Sequence, residues 1–263
     1  MKLAVKKLAL AIVVLCSPVL AWAWGYQGHR ITGQIAETYL TPKARIAIKK
    51  ILGYEPLAIA GNWADFVRSD PNYKYLDPWH FVDFDRTMSH PEMTEFLEHD
   101  THENAYTKLK FFKTELKKKN LSQANKLMYL RLLIHLVEDI HQPMHAALNG
   151  TDGGNKIKVQ WFNEPTNLHT IWDTKLVEFQ GFSYTEYASL INHTTAAQRA
   201  AWQKAPITQW VFESVEISTK AIAEATPDEK LSYNYNFKYI GTINQQLLKG
   251  GVRLAGLLNE IFG

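Results

Sequence analysis

The stretch LLIHLVEDIHQPMH, residues 132 to 145, joins a strong helix signal to an unusual set of polar residues. Its apolar residues leave no wide polar face, so the pattern predicts a buried helix. His135 and Asp139 are four residues apart, which places both side chains on one face of that helix. Pro143 is expected to end the helix and to turn the chain at His145. Because a buried carboxylate without a partner is costly, these side chains need a source of positive charge.

Similar groups of histidine and aspartate recur elsewhere in the chain, each within a short motif. A lone His-x3-Asp pair is more often an ordinary hydrogen-bonded or surface pair, but several such groups on separate elements favour a shared cation. Mixed imidazole and carboxylate ligands suit zinc, whereas calcium and magnesium call for mainly oxygen ligands. The groups are His169 with Asp173 in NLHTIWD, Asp65 with Arg68 in WADFVR, His80 with Asp83 in PWHFVDF, and His29 in WGYQGH.

The first 23 residues have the composition of a secretory signal peptide. A basic start precedes an apolar run from Leu8 to Leu20, and Ala21-Trp22-Ala23 matches an A-x-A cleavage site. The alternative is a membrane anchor, but the run is short and contains a proline. We therefore predict a secreted or periplasmic protein whose mature domain spans residues 24–263 and begins at Trp24.

Charge and cysteine content narrow the class of protein further. Removing residues 1–23 removes three lysines and no acid, which leaves 26 basic and 26 acidic residues. A neutral chain lacks the broad positive surface that duplex nucleic acid requires, so any polyanion site must be local. The only cysteine, Cys16, lies in the leader, so the mature chain forms no disulfide and depends on its core or on metal for stability.

The pattern of the whole chain predicts an all-α, single-domain fold with one short β-hairpin. Alternating residues predict short strands at 156–162 and 80–85, and the turn-rich segment 148–161 is compatible with the hairpin. No linker or repeat divides the chain. The helical period predicts helices at 32–39, 42–52, 94–119, 122–142, 208–225 and 231–261.

The motifs together resemble the secreted zinc-dependent single-strand nucleases, also called type I nucleases. The matching motifs are Trp24-Gly25 with His29, WAD..R, WHF, HLVEDIHQPMH, GGN and NLH..WD. They run from Trp24 to Asp173, over half of the chain. Bacterial zinc phospholipase C is more distantly similar, but that family typically has Glu where this sequence has Asp173. The resemblance therefore favours a nuclease.

The resemblance implies an all-α fold with three zinc ions in a cleft. It assigns the first zinc to Asp65, His80, His135 and Asp139. It assigns the second zinc to His145, His169 and Asp173. It assigns the third to the amino nitrogen and carbonyl oxygen of Trp24, to His29 and to Asp139 as a bridge. Since a nitrogen within a peptide bond cannot ligate zinc in this way, the third site requires cleavage before Trp24.

The implied activity is hydrolysis of single-stranded DNA and RNA to 5′-phosphorylated products, together with 3′-nucleotidase activity. Asp65 is expected to orient the attacking water, and Arg68 to hold the phosphate with its forked guanidinium. Phe81 is expected to stack on an unpaired base, and Asp83 and Asn155 to contact the nucleotide. The resemblance implies no obligate protein partner and no membrane association after cleavage.

Two other functions are compatible with the same residues. The first is a lipid phosphodiesterase similar to zinc phospholipase C, which activity on phosphatidylcholine would distinguish from a nuclease. The second is a zinc-storage protein without catalysis. Such a protein would be expected to show exposed runs of histidine, and it would not need an arginine at position 68.

Overall fold

The computed structural model describes residues 24–263, so the predicted leader lies outside the described residues. Within that range the chain is mainly α-helical with two small sheets, which confirms the predicted all-α class. No helix of this described part is both long enough and apolar enough to cross a membrane.

The helices follow one another through short connections, and irregular turns separate them from the strands. In chain order the α-helices are α1 (Tyr26–Thr38), α2 (Pro42–Leu52), α3 (Leu57–Ala60), α4 (Trp63–Val67), α5 (His90–His99), α6 (Ala105–Glu115), α7 (Gln123–Ile140), α8 (Leu168–Thr170), α9 (Leu176–Glu178), α10 (Tyr184–Ile191), α11 (Ala196–Lys204), α12 (Ile207–Glu224) and α13 (Tyr233–Phe262). Two 3₁₀ helices span Pro71–His80 and Pro143–His145, and a π-helical stretch, Ile171–Lys175, joins α8 to α9. The strands are β1 (Val82–Phe84), β2 (Ala146–Leu148), β3 (Lys158–Trp161), β4 (Glu164–Asn167) and β5 (Lys230–Leu231).

Helix α7 lies at the centre of the larger core. Every residue from 132 to 140 is buried, as the apolar pattern predicts. The helix begins after Ser122, whose side chain accepts a hydrogen bond from the backbone N–H of Asn125 at 3.2 Å. It ends at Ile140, before Pro143, which confirms the predicted helix to within two residues at each end.

Helix α13 packs across α1, α7 and α11 and completes a second core. Helices α13 and α1 approach each other closely at Gly251, where an added Cβ would lie 2.6 Å from the Cβ of Ile35. Glycine therefore permits these two helices to come together. Trp24 and Trp172 are fully buried in this second core, which packs the beginning of the described chain against the segment that carries Asp173.

The two small sheets connect segments that carry site residues. Strands β1 and β2 pair in parallel with Val82 opposite Ala146, so the residues after His80 lie beside those after His145. Strands β3 and β4 form the hairpin, and β5 pairs in parallel with β3. The hairpin spans 158–167 instead of 148–161, because the turn forms later, where Phe162 and Asn163 adopt positive φ of 49° and 70°.

The single helix predicted over 94–119 is wrong, because α5 and α6 are separated at residues 100–104. In this break, Asp100 accepts a hydrogen bond from the backbone N–H of His102 at 2.9 Å. Asn104 then caps α6 by accepting from the N–H of Thr107 at 3.0 Å. Short polar side chains that capture backbone N–H groups end one helix and start the next.

Candidate metal centre

Asp139 occupies the middle of a buried cluster of imidazoles. Its Oδ2 lies 2.9 Å from His135 Nε2 and 3.1 Å from His80 Nδ1. Its Oδ1 lies 3.8 Å from His29 Nε2 and 3.7 Å from His145 Nδ1. The structure therefore brings together four of the predicted histidines, which lie up to 116 positions apart in the sequence, around one carboxylate of α7.

The first group of potential ligands comprises Asp65, His80 and His135, whose ligand atoms lie within 4.8 Å of one another. Asp65 comes from α4, His80 from the end of a 3₁₀ helix and His135 from α7. Within residues 24–263, neither carboxylate oxygen of Asp65 has a hydrogen-bond partner, although both are buried. Burial raises the pKa of Asp65, because nothing in its surroundings fully replaces the lost hydration.

The second group comprises His145, His169 and Asp173. His169 and Asp173 are four residues apart, and His169 Nε2 lies 3.0 Å from Asp173 Oδ2. Asp173 belongs to the π-helical stretch, a local widening of the helix that is frequent at functional sites. Although burial opposes it, the imidazoles of His169 and His145 lower the pKa of Asp173, which favours its ionised form.

Four of the imidazoles have one ring nitrogen held by a defined acceptor. His135 Nδ1 donates to the carbonyl of Gly61 at 2.6 Å, and His169 Nδ1 donates to the carbonyl of Gly153 at 2.8 Å. A bond of this kind leaves the lone pair of Nε2 available, which is the usual arrangement of metal-ligating histidines. The other two donors are His145 Nδ1, to the carbonyl of His80 at 2.8 Å, and His29 Nδ1, to Glu138 Oε2 at 2.7 Å.

Glu138 is a buried site residue that the sequence analysis did not assign. It is fully buried on α7 beside Asp139, and it forms a third group of potential ligands with His29 and His135. Its carboxylate fills the space above Gly61, where an added Cβ would lie 2.2 Å from Oε2. The sequence signal for a role of Glu138 is an acid next to Asp139 in an otherwise apolar helix. Its partner, His29, is 109 positions away, so the sequence does not indicate the contact.

The electrostatics of the cluster favour a bound cation. Burial, reinforced by neighbouring imidazoles, lowers the pKa of His29 and His80 well below the ordinary value. Burial also raises the pKa of Asp139 and Glu138 well above the ordinary value. A divalent cation offsets the free-energy cost of burying ionised carboxylates, because its charge stabilises them. The same cation also binds neutral imidazoles. The donor set therefore fits a metal centre.

The predicted N-terminal ligand, Trp24, lies beside the second group. The backbone N–H of Gly25 donates to the carbonyl of Asp173 at 2.8 Å. The indole of Trp24 packs on Gly28, where an added Cβ would lie 2.9 Å from the ring. These contacts hold the start of α1 against the π-helical stretch. The role of the Trp24 amino and carbonyl groups as ligands stays a prediction.

A pocket of about 220 Å3 opens onto this cluster. Its lining includes all four predicted substrate-contacting side chains outside the ligand set: Arg68, Phe81, Asp83 and Asn155. Phe81 is 41% exposed, so its ring is open to a ligand. Arg68 Nη1 lies 3.7 Å from Asp65 Oδ1, which places its charge at the mouth of the first group.

The loop that contains Gly153 completes the pocket with a residue the sequence analysis did not assign, Asp152. Partial burial and the Asp152 carboxylate raise the pKa of Asp83. The amide of Asn155 donates to the carbonyl of Asp152 at 3.0 Å, so Asn155 also stabilises this loop. Asp152 could have been expected only from its position next to the GGN motif.

Gln142 and His141 follow α7 and have different roles from those of the ligand set. Gln142 donates to Asp173 and accepts from the backbone N–H of Met144 at 2.6 Å, so it joins the end of α7 to the second group. His141 hydrogen-bonds groups outside the ligand set. Its Nδ1 donates to the carbonyl of Val137 at 2.7 Å, and its Nε2 accepts from Arg253 at 3.0 Å.

A buried cluster of histidines and aspartates beside an open aromatic pocket is the arrangement of a metal-binding enzyme site. Residues 24–263 match the S1/P1 nuclease family, and the chain belongs to it. It is therefore a nuclease, an enzyme that hydrolyses phosphodiester bonds.

Relatives in plants and fungi match this chain over nearly their whole length. Endonuclease 4 of Arabidopsis thaliana is 29% identical over 92% of this chain and 90% of its own. Nuclease P1 of Penicillium citrinum is 28% identical over 91% and 98%, and nuclease S1 of Aspergillus oryzae is 26% identical over 97% and 97%. Among solved structures, Alpha Toxin from Clostridium Absonum aligns with a TM-score of 0.46 at 18% identity, over 92% of this chain and 67% of that chain.

Proposed function

We propose that this protein is an exported zinc-dependent nuclease that cleaves single-stranded DNA and RNA and also removes phosphate from 3′-nucleotides. The observation that carries the proposal is the Asp139 carboxylate, which lies within 4 Å of four buried imidazoles at the floor of an aromatic pocket. Family membership supports hydrolysis of phosphodiesters, and the donor set supports zinc.

We assign three zinc ions to the cluster. Asp65, His80, His135 and Asp139 would hold the first, and His145, His169 and Asp173 the second. The Trp24 amino nitrogen and carbonyl oxygen, His29 and Asp139 would hold the third, with Glu138 fixing His29 through its Nδ1 hydrogen bond. Bound zinc supplies positive charge to a phosphate and lowers the pKa of water.

The side chains of the pocket then position the substrate. Asp65 orients the attacking water, since its two oxygens lie at the floor of the cluster with no competing hydrogen bond in the described chain. Arg68 binds a phosphate oxygen from the pocket mouth and stabilises negative charge in the transition state. Asp65 lies on α4 and Arg68 directly follows it, so one short helix positions the backbone of both groups before the reaction.

Preference for single strands follows from the pocket shape. Phe81 presents its ring beside His80, and a base can stack on it only when the base is unpaired and turned out of a helix. Asp83 and Asn155 lie in the same pocket and accept or donate hydrogen bonds at the edge of that base. The zinc ions provide the local positive charge that the neutral chain lacks.

The direct test is to purify the chain beginning at Trp24 and to measure its zinc content and its activity. We expect close to three zinc ions per molecule and degradation of single-stranded DNA and RNA far faster than of duplex DNA. Protein that hydrolyses phosphatidylcholine but not single-stranded nucleic acid would refute the proposal and favour the lipid phosphodiesterase. Zinc-loaded protein without activity on either substrate would favour zinc storage.

A further inference from the structure

A second groove is lined in part by the two elements that carry His29 and Asp65. It has a volume of about 400 Å3, and α1, α3 and α4 contribute to its walls. On α1, His29 points to the metal centre, while the next face carries Tyr26 and Arg30, four residues apart. The side chains that matter here are Tyr26, Arg30, Asn62, Trp63 and Phe66.

Asn62 is a buried amide with no hydrogen-bond partner in the described chain. Its residue is 7% exposed, and both Nδ2 and Oδ1 lack a partner within residues 24–263. Buried amides are nearly always paired, because leaving a donor and an acceptor without partners destabilises the fold. Asn62 is among the residues that line the groove, and its amide carries one donor and one acceptor side by side. The edge of a nucleobase has this complementary pattern.

The groove also offers an aromatic surface for stacking. Phe66 is 73% exposed, although it follows Asp65 directly. Trp63 is held in place by an edge contact with Tyr73, with ring centroids 5.4 Å apart. The groove therefore combines an exposed phenyl ring with an unpaired amide, and a base can stack on the first and be hydrogen-bonded by the second.

The charges of the groove are compatible with a nucleotide. Arg30 contributes a guanidinium whose Nε lacks a hydrogen-bond partner among the described residues. Glu55 also lines the groove, but Arg131 donates to its Oε2 from Nε at 2.9 Å and from Nη2 at 2.7 Å. The negative charge of Glu55 is therefore compensated, and Arg30 is left to attract a phosphate.

We propose that this groove is a second nucleobase subsite, which binds the nucleotide on the far side of the scissile phosphate from the Phe81 pocket. This inference rests on the proposed nuclease function. The Phe81 pocket is lined by His80, His145 and His169, whereas the groove is lined by Arg30 and Phe66, the chain neighbours of His29 and Asp65, so different elements line the two cavities. Phe66 stacks on the base, and the amide of Asn62 pairs with its edge.

The test compares a substrate that spans the metal centre with one that does not. A single-stranded tetranucleotide has bases on both sides of the cleaved phosphate, and a nucleoside 3′-phosphate has a base on one side only. In Phe66→Ala we expect the ratio of KM for the tetranucleotide to KM for the 3′-phosphate to rise about tenfold. Phe237→Ala, which removes another exposed ring, is the matched control and should keep the wild-type ratio.

The outcomes separate the subsite from the function it depends on. Wild-type protein that cleaves neither substrate refutes the nuclease function and the subsite with it. An unchanged ratio in Phe66→Ala, or an equal rise in both KM values, overturns the subsite alone while the nuclease function stands.

Asn62→Leu provides an independent measurement, because leucine has a similar size and no hydrogen-bonding groups. Replacing an amide that has no partner in the fold should leave the melting temperature unchanged or raise it. The same KM ratio should nevertheless rise several-fold. A wild-type ratio in Asn62→Leu would show that the amide does not contact the base, and a lower melting temperature would show that Asn62 serves the fold.

Discussion

Four of the five imidazoles of the candidate metal centre are oriented by the hydrogen bond that their second nitrogen makes. For His135, His145 and His169 the acceptor is a backbone carbonyl, and for His29 it is Glu138. A backbone acceptor leaves no trace in the sequence, since any residue type provides one. Sequence motifs therefore indicated these histidines, but they did not indicate which ring nitrogen faces the cluster.

Gly153 tests how much this orientation matters. It has a positive φ of 53°, and an added Cβ would lie 2.4 Å from the carbonyl oxygen of Met144 and 3.1 Å from His169 Nδ1. We expect Gly153→Ala to displace the His169 ring and to lower kcat by about tenfold or more, with loss of bound zinc. Zinc analysis and steady-state kinetics on single-stranded DNA measure this effect.

Gly150→Ala is the matched control for backbone strain. Gly150 also has a positive φ, of 107°, but no atom lies within 4 Å of an added Cβ. Its substitution should lower stability modestly and leave zinc content unchanged. Equal zinc loss in both variants would show that loop strain alone, and not contact with His169, explains the effect.

At the level of helices and strands, the sequence predicts an element correctly where the residues that start, build and end it are close together in the chain. Helix α7 was predicted nearly in full because its N-cap, its apolar run and its terminating proline are all adjacent in sequence. The 3₁₀ helix Pro71–His80 was not predicted, since it contains two prolines and little periodicity. Glu138 was missed for a related reason, because its partner reaches it only when α1 packs against α7.

A buried ion pair fixes α13 against α12 and α7. Arg253 is 1% exposed and donates to both carboxylate oxygens of Glu213 at 2.9 Å and to His141 Nε2 at 3.0 Å. Although burial opposes it, the hydrogen bonds and charges of Arg253 and Lys249 lower the pKa of Glu213 to about 2. Because the folded pKa lies below the ordinary value of 4.5, Glu213 stabilises the fold fully above that value, and its contribution is lost as pH falls toward 2.

Glu213→Gln should therefore destabilise the protein in a pH-dependent way. Near pH 7 we expect the free energy of unfolding to fall by about 2 to 3 kcal/mol, because Arg253 loses its charged partner. The difference from wild type should shrink as pH is lowered from about 5 to about 3, as urea titrations at each pH would measure. Glu216→Gln, an exposed position on the same helix, should have little effect at any pH. A constant difference across this range would contradict the assignment.

For the molecule as a whole, the metal centre joins distant parts of the chain. Its predicted ligands come from α1, α4, α7, α8, both described 3₁₀ helices and the π-helical stretch. With no cysteine in residues 24–263, no disulfide can replace these connections. Bound zinc should therefore stabilise the entire fold and not only the site.

Removal of metal should accordingly lower the melting temperature. We expect a strong chelator to reduce it by about 10 °C or more and to abolish hydrolysis, because several buried acids would lose their compensating charge. Both effects should reverse when zinc is added back, as thermal unfolding followed by circular dichroism would show. A melting temperature that is insensitive to chelation would indicate that the core alone stabilises the fold.

In the proposed function, cleavage before Trp24 creates the amino group that binds the third zinc, so activity depends on removal of the leader. The backbone contact between Gly25 and Asp173 holds the start of α1 at the second group, so any residue added before Trp24 must leave through the same crowded region. An added Met also converts the Trp24 amine into an amide, which is a far poorer ligand for zinc.

Protein with Met before Trp24 should bind about two zinc ions instead of three and should cleave single-stranded DNA at least tenfold more slowly. The control is one residue added after Gly263, which is exposed at the C-terminal end of α13. This addition should change neither the zinc content nor the rate. Full zinc content and a normal rate in the N-terminally extended protein would remove the amino group from the ligand set, and with it the chemical reason for cleavage at this position.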